Sequence, residues 1–173
     1  MNTQTRLVDV QVSLTVTEWG IAKEIVGLRN NSHKNLDDDE FRVGDVDRKR
    51  VDEYAAELAY CKMLNLYPDY SIQAVKGNHW DAVYMGARVD VKQTSIESGR
   101  MLVKDKNSGL PWVPAPDFFA FMVGTGNWYG FRGYMSAADV FGHELTYQIN
   151  GKKLSKPCWA IEQGDLREDI YND

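Results

Sequence analysis

The chain predicts an α/β domain with a mixed central β-sheet flanked by helices. Three observations predict it. Val8, Val10, Val12, Leu14 and Val16 alternate strictly with other residues, the period of a half-buried strand. Two stretches, about 18–29 and 48–66, carry apolar residues at helical spacing. Between about 71 and 134, short apolar runs recur between turn-forming residues, as strands do.

In order, the strand over 8–16 leads to Thr17, which can cap a helix of about 18–29. Trp19, Ala22, Ile25, Val26 and Leu28 form its apolar stripe. Residues 30–47 are polar. Asp37, Asp38, Asp39, Glu40, Asp45 and Asp47 put six of the 25 acidic residues there. A solvated loop is expected, because Phe41-Arg42 stands where a calcium loop would need ligands and a Gly. The second helix, about 48–66, ends before Tyr67-Pro68. Strands are expected near 71–75, 79–84, 87–95, 100–104, 117–123 and 128–134, then a short helix at Ser136-Ala137-Ala138-Asp139-Val140. The tail from 144 has weak periodicity. It reads as part of a C-terminal appendage (136–173) that covers the sheet of a core at about 48–135, all within one domain, 1–173.

Composition narrows the class. A 173-residue chain with 43% hydrophobic residues can bury a core without disulfides. No apolar run approaches 18 residues, so no membrane span is expected. Met1-Asn2-Thr3-Gln4-Thr5-Arg6 lacks the apolar segment of a signal peptide, which implies a cytoplasmic protein. Cys61 and Cys158 have no metal-ligand spacing and read as reduced thiols. The net charge of −5 argues against a protein coated in nucleic acid, but not against a site that binds it locally. There is no phosphate-loop motif, no zinc frame and no serine-hydrolase elbow.

The chemistry concentrates between Asp81 and Lys92. The stretch Asp81-Ala-Val-Tyr-Met-Gly-Ala-Arg-Val-Asp90-Val-Lys92 reads as strand, Gly turn, strand. A two-residue turn at Met85-Gly86 pairs Tyr84 with Ala87 and brings Asp81 opposite Asp90, but Met suits positive φ poorly. A three-residue turn, Tyr84-Met85-Gly86, is chemically easier and shifts the register by one, unless a bulge restores it. In either register the two carboxylates are close, and Lys92 shares a face with Asp90. Asp is disfavoured in strands, and like charges opposite one another destabilise a sheet, so the pair needs a cation or must protonate. Two carboxylates beside an ammonium can hold a divalent ion and orient a water, as metal-assisted phosphodiester hydrolysis requires. The bland alternative is a solvent-facing, salt-bridged patch.

Other residues qualify the picture. Glu57 falls at the edge of its helix's apolar arc, between Leu64 and Cys61. There it either pairs with Arg50 or joins the acids as a third carboxylate. His79, two before Asp81, is either structural or a contact for a phosphate or a metal-bound water. His33 and His143 have no partner at ligand spacing. Asp117 reads as a strand-end residue. Arg100, Lys104 and Lys106 read as surface charges or a phosphate patch, and Trp112 and Trp128-Tyr129 as packing or stacking groups.

The order Glu57, then Asp81, then Asp90-x-Lys92 resembles the PD-(D/E)xK nuclease superfamily: helix carboxylate, strand Asp, strand Asp-x-Lys. The resemblance covers about residues 50–125. The chain is also similar to small phage-type members, through Glu57-Leu58-Ala59, Gly77, Asp81, Asp90-Val91-Lys92-Gln93-Thr94 and Asp117-Phe118-Phe119. It departs from the pattern at Trp80, where the superfamily has Pro. Its literal Pro-Asp pairs are Pro68-Asp69 and Pro116-Asp117. The resemblance implies a restriction-endonuclease-like fold and Mg²⁺- or Mn²⁺-dependent cleavage of DNA. It implies Asp81, Asp90, Glu57 and the Val91 carbonyl as metal ligands, Lys92 as the group that orients the water, and Gln93 and His79 as auxiliaries. A homodimer, or a phage or host protein as partner in the host cytoplasm, is the corresponding expectation. The alternative is a non-catalytic DNA- or protein-binding factor on the same fold.

Overall fold

The structure, a computed structural model, describes residues 10–33, 45–71 and 80–170, without the side chains of 31–33 and 45–47. His79, Gly77, Asp37–Glu40 and most of the strand expected at 71–75 lie outside the described residues. The elements run β1 (Gln11–Ser13), α1 (Val16–His33), α2 (Asp45–Met63), β2 (Ala82–Tyr84), β3 (Ala87–Thr94), β4 (Met101–Lys104), β5 (Phe118–Thr125), β6 (Trp128–Ser136), α3 (Ala137–Gly142), β7 (Leu145–Ile149) and β8 (Lys152–Ile161).

Five strands form a mixed sheet in the order β1-β6-β5-β3-β2. Within it, β3 and β5 pair in parallel and the other described pairs are antiparallel. The remaining strands form an antiparallel sheet, β4-β8-β7. Side chains of β5 alternate between two cores. Ala120 and Met122 join α1 and α2, whereas Phe119, Phe121 and Val123 join β4, β8 and α3. The result is three layers: helices, mixed sheet, small sheet with α3. Burial on both faces is why the sequence of β5, Phe-Phe-Ala-Phe-Met-Val, is continuously apolar rather than alternating.

One local expectation is corrected, and two that the sequence left open are decided. Thr15, not Thr17, begins α1. Its hydroxyl accepts from Glu18 N–H at 3.2 Å while the Glu18 carboxylate accepts from Thr15 N–H at 2.6 Å. This reciprocal pair satisfies two amides that the first turn leaves without helical partners. On the stripe, Ala22, Ile25 and Val26 are buried but Leu28 is exposed, because the apolar arc ends before it.

The first is the β2–β3 turn. It is the two-residue form, with Met85 at φ 50° and Gly86 at φ 86°, and Ala82 faces Val89. Left-handed backbone at Met85 costs on the order of 1 kcal/mol. The register wins because a one-residue slip would expose Ala82, Ala87 and Val89, all buried here.

The second is the tail, which covers the sheet as expected. Beyond α3 it forms the β7–β8 hairpin, turning at Asn150 (φ 49°) and Gly151 (φ 75°). Asn-Gly is the strongest short hairpin signal a sequence offers. Periodicity hides it, because β8 alternates poorly: only its last residues, Cys158, Trp159 and Ile161, are buried.

Candidate functional site

The site lies where β2 ends beside β3. Asp81 stands one residue before the first β2 pair, with its N–H donating to Val89 C=O at 2.9 Å. Its carboxylate accepts from Val91 N–H at 2.6 Å. Asp81 therefore satisfies a β3 amide with its side chain, just before the first residue of β2.

Asp90 and Lys92 stand opposite Phe119 and Phe121 in the parallel register, on the face that meets the small sheet. Asp90 is buried, and its Oδ2 contacts the Lys92 ammonium in an ion pair. Beyond that ion pair, Asp90 Oδ2 has no hydrogen-bond partner among the described residues. Lys92 Nζ lies 5.4 Å from the centre of the Trp112 ring and 5.7 Å from that of Phe119. A partly buried lysine on an aromatic floor favours an anion, and a buried aspartate needs a cation.

Glu57 comes from α2. The structure brings its charge into the same cluster, but not its oxygens into one coordination sphere. Among the described residues, no group of three or more His, Cys, Asp or Glu side chains is disposed to hold a metal ion. The layering explains this. Glu57 projects from the helical layer, whereas Asp90 and Lys92 stand on the other face of β3.

The electrostatics follow from burial. Desolvation, then the charge of Asp90, pushes the Asp81 carboxyl up to about 7, against the pull of Lys92 and the Val91 N–H. Desolvation, then Asp81, holds Glu57 well above the usual carboxylate range. Desolvation pulls Lys92 down, but Asp90 and Asp81 outweigh it, so the ammonium is held more firmly than usual. Burial, then Glu57 and Asp81, pushes the Cys61 thiol up to about 12, so this thiol is inert at neutral pH.

Several candidates sit elsewhere. The Gln93 amide donates to Gly124 C=O at 2.6 Å and is committed to holding β3 against the end of β5. Asp117 is a clamp: Arg88 donates to it through its backbone N–H at 2.8 Å and its guanidinium at 2.9 and 2.7 Å. Those hydrogen bonds hold the Asp117 carboxyl down to about 2. Trp112 packs in the second core, edge-on to Phe119, and donates its indole N–H to Lys104 C=O. Tyr129 is buried, while its neighbour Trp128 is exposed.

Lys106 is the residue whose place sequence reasoning left undecided. Its ammonium lies 3.6 Å from the centre of the Trp112 ring. Burial, then Lys92, pulls its pKa down while Asp90 and Asp81 oppose the shift, so it stands within the field of the site. No sequence spacing relates it to Asp90. The Trp112 ring joins them, and only folding places that ring.

The residues fit a divalent cation in part. Asp90 Oδ2 is a buried oxygen that already contacts one cation, the Lys92 ammonium, and Asp81 is a second carboxylate; hard cations favour oxygen ligands of this kind. Compared with known proteins, the chain matches no family model, no curated sequence and no solved structure.

Proposed function

We propose that the chain is a metal-dependent nuclease that hydrolyses DNA phosphodiester bonds on a restriction-endonuclease-like fold. The observation that carries the reading is the Asp90–Lys92 ion pair beside Asp81, in which the buried Asp90 Oδ2 contacts the Lys92 ammonium. Asp81 and Asp90, with the Val91 carbonyl, would hold Mg²⁺ or Mn²⁺. When bound, that ion supplies charge to polarise the phosphate and lower the pKa of a water. Lys92, freed from Asp90 by such an ion, would orient the attacking water and stabilise the charge growing on the phosphate. Glu57 is the third carboxylate of the field, able to hold or accept a proton because its pKa is already raised.

Incubating the protein with plasmid, linear duplex and branched DNA, in Mg²⁺, Mn²⁺ or EDTA, tests the reading. Cleavage that needs the metal supports it. No cleavage of any substrate with either metal refutes it.

The second reading is a non-catalytic DNA- or protein-binding factor on the same fold. The lack of a three-carboxylate metal group among the described residues favours it. DNA or protein binding without cleavage would select it. A phage origin, a host-cytoplasmic setting and a homodimer belong to either reading.

A further inference from the structure

A cleft of about 510 Å³ opens at the C-terminal end of β3, immediately after Lys92. Its walls include Arg48 and Lys49 from α2, Gln93, Thr94 and Ser95 from the strand end, and Arg100 from the following segment. In a chain of net charge −5, this small cleft is lined by three cations, Arg48, Lys49 and Arg100, against one carboxylate, Asp52. Arg100 is tied to Glu162 at 2.6 Å. Arg48 and Lys49 are exposed and have no ion-pair partner among the described residues.

The cleft's one carboxylate, that of Asp52, is turned to neutral donors. It accepts from Thr125 Oγ1 and Gly126 N–H, each at 2.9 Å, and from Tyr129 Oη at 3.3 Å. Arg48 and Lys49 fall early in α2, near the end where the helix dipole is positive and cations are unfavourable. Cations there cost helix stability and add to a positive potential.

The opposite wall is braced. Gly99 N–H donates to Ile96 C=O, and Gln163 donates to both Glu97 C=O and Gly99 C=O. A Cβ at Gly99 would meet Ile96 O at 2.8 Å and Thr94 Cγ2 at 2.9 Å, so only glycine lets this turn close on Thr94. The Thr94 hydroxyl accepts from Ile96 N–H at 3.3 Å, so this turn fixes Thr94 and Ser95 at the cleft while leaving their O–H groups to donate. Thr94 lies two residues past Lys92 on the same strand face, roughly 7 Å along the strand.

We propose that this cleft binds the phosphate backbone of a nucleic-acid strand next to the Asp90–Lys92 centre, with Arg48 and Lys49 as its main phosphate contacts. The inference rests on the nuclease reading for the direction of the strand, but not for the binding itself. The cations supply attraction without sequence information, and the braced hydroxyls supply fixed hydrogen bonds.

The test is fluorescence anisotropy of a labelled single-stranded oligonucleotide with the full chain in EDTA, across a series of salt concentrations. Arg48→Ala/Lys49→Ala should weaken binding roughly tenfold at low salt and flatten the dependence of log K on log salt by about 1.4, twice the single-strand increment. Lys152→Ala/Lys153→Ala, in the β7–β8 hairpin, should leave both unchanged. Equal losses from the two double variants, no loss from the first, or no oligonucleotide binding by the wild type at low salt, each overturn the proposal. Circular dichroism of each variant separates lost contacts from lost fold. The two readings fail separately. Binding through the cleft without metal-dependent cleavage sustains the cleft and removes the nuclease. Cleavage that Arg48→Ala/Lys49→Ala leaves intact, with unchanged binding, does the reverse.

Discussion

Lys92 and Asp90 are two residues apart, form one ion pair and have different expected roles, so their variants should separate. On the nuclease reading, Lys92→Ala lowers cleavage by at least about 100-fold, the scale of losing a group that stabilises transition-state charge. It keeps, or increases, the rise in melting temperature on adding Mn²⁺, because a competing cation has gone. Asp90→Asn abolishes both cleavage and that rise. Variants that cut as well as the wild type would place the chemistry elsewhere.

Asp81 carries a pH signature in the metal-free protein. Its folded pKa, about 7, is raised above its unfolded value. Its stabilising contribution is therefore complete below about pH 3.8 and is lost as pH rises through about 7. Melting in EDTA should fall between pH 5 and 7, by on the order of 2 kcal/mol for this group. Asp81→Asn should flatten that slope. A slope that Asp81→Asn leaves unaltered would assign it to another group, with Glu57 first in line.

At the scale of elements, short-range devices fix where the layers begin and turn. The Thr15–Glu18 capping box also gains Lys62 of α2, whose ammonium lies 2.7 Å from the Glu18 carboxylate and donates to Ser13 C=O. Start of helix, end of β1 and second helix are thus joined at one point. Thr15→Ala should cost about 1 kcal/mol in denaturant unfolding. The opposite sign is expected at the site hairpin. Met85→Asn replaces a strained residue with one that tolerates left-handed backbone and creates the Asn-Gly turn, so it should stabilise by about 1 kcal/mol. Destabilisation by Met85→Asn would show that the Met85 side chain contributes more than its backbone costs.

At the scale of the whole molecule, the mixed sheet is a partition between an α/β core and a β core. Tyr60 of α2 and Tyr134 of β6 share a buried hydrogen bond at 3.0 Å, which fixes the helical layer to the sheet. On the other side, Phe119, Trp112, Phe141 and Trp159 pack edge to face. The site sits at the rim of this partition, where Asp81, just before β2, satisfies an amide of β3. A divalent ion that binds only the folded state must stabilise the whole molecule, by about 2.7 kcal/mol at a hundred times its dissociation constant. A melting temperature unmoved by millimolar Mg²⁺ and Mn²⁺ would remove the metal site.

The sequence determined the local matters: both helices, the strands flanking Met85-Gly86, the short helix after Ser136 and the adjacency of Asp81, Asp90 and Lys92. Each follows from periodicity or spacing within about a dozen residues, where the backbone leaves few choices. Folding decided what depends on contacts between distant segments. The parallel pairing of β3 with β5 put Lys92 over Phe119, and β4 left the main sheet to pair with β8. The Trp112 ring brought Lys106 to the site, and α2 set Arg48 and Lys49 across from Thr94. Glu57 shows the boundary best. Its helix position was legible, but which side of β3 it would approach from depends on how three layers stack, and no pattern along one segment encodes that.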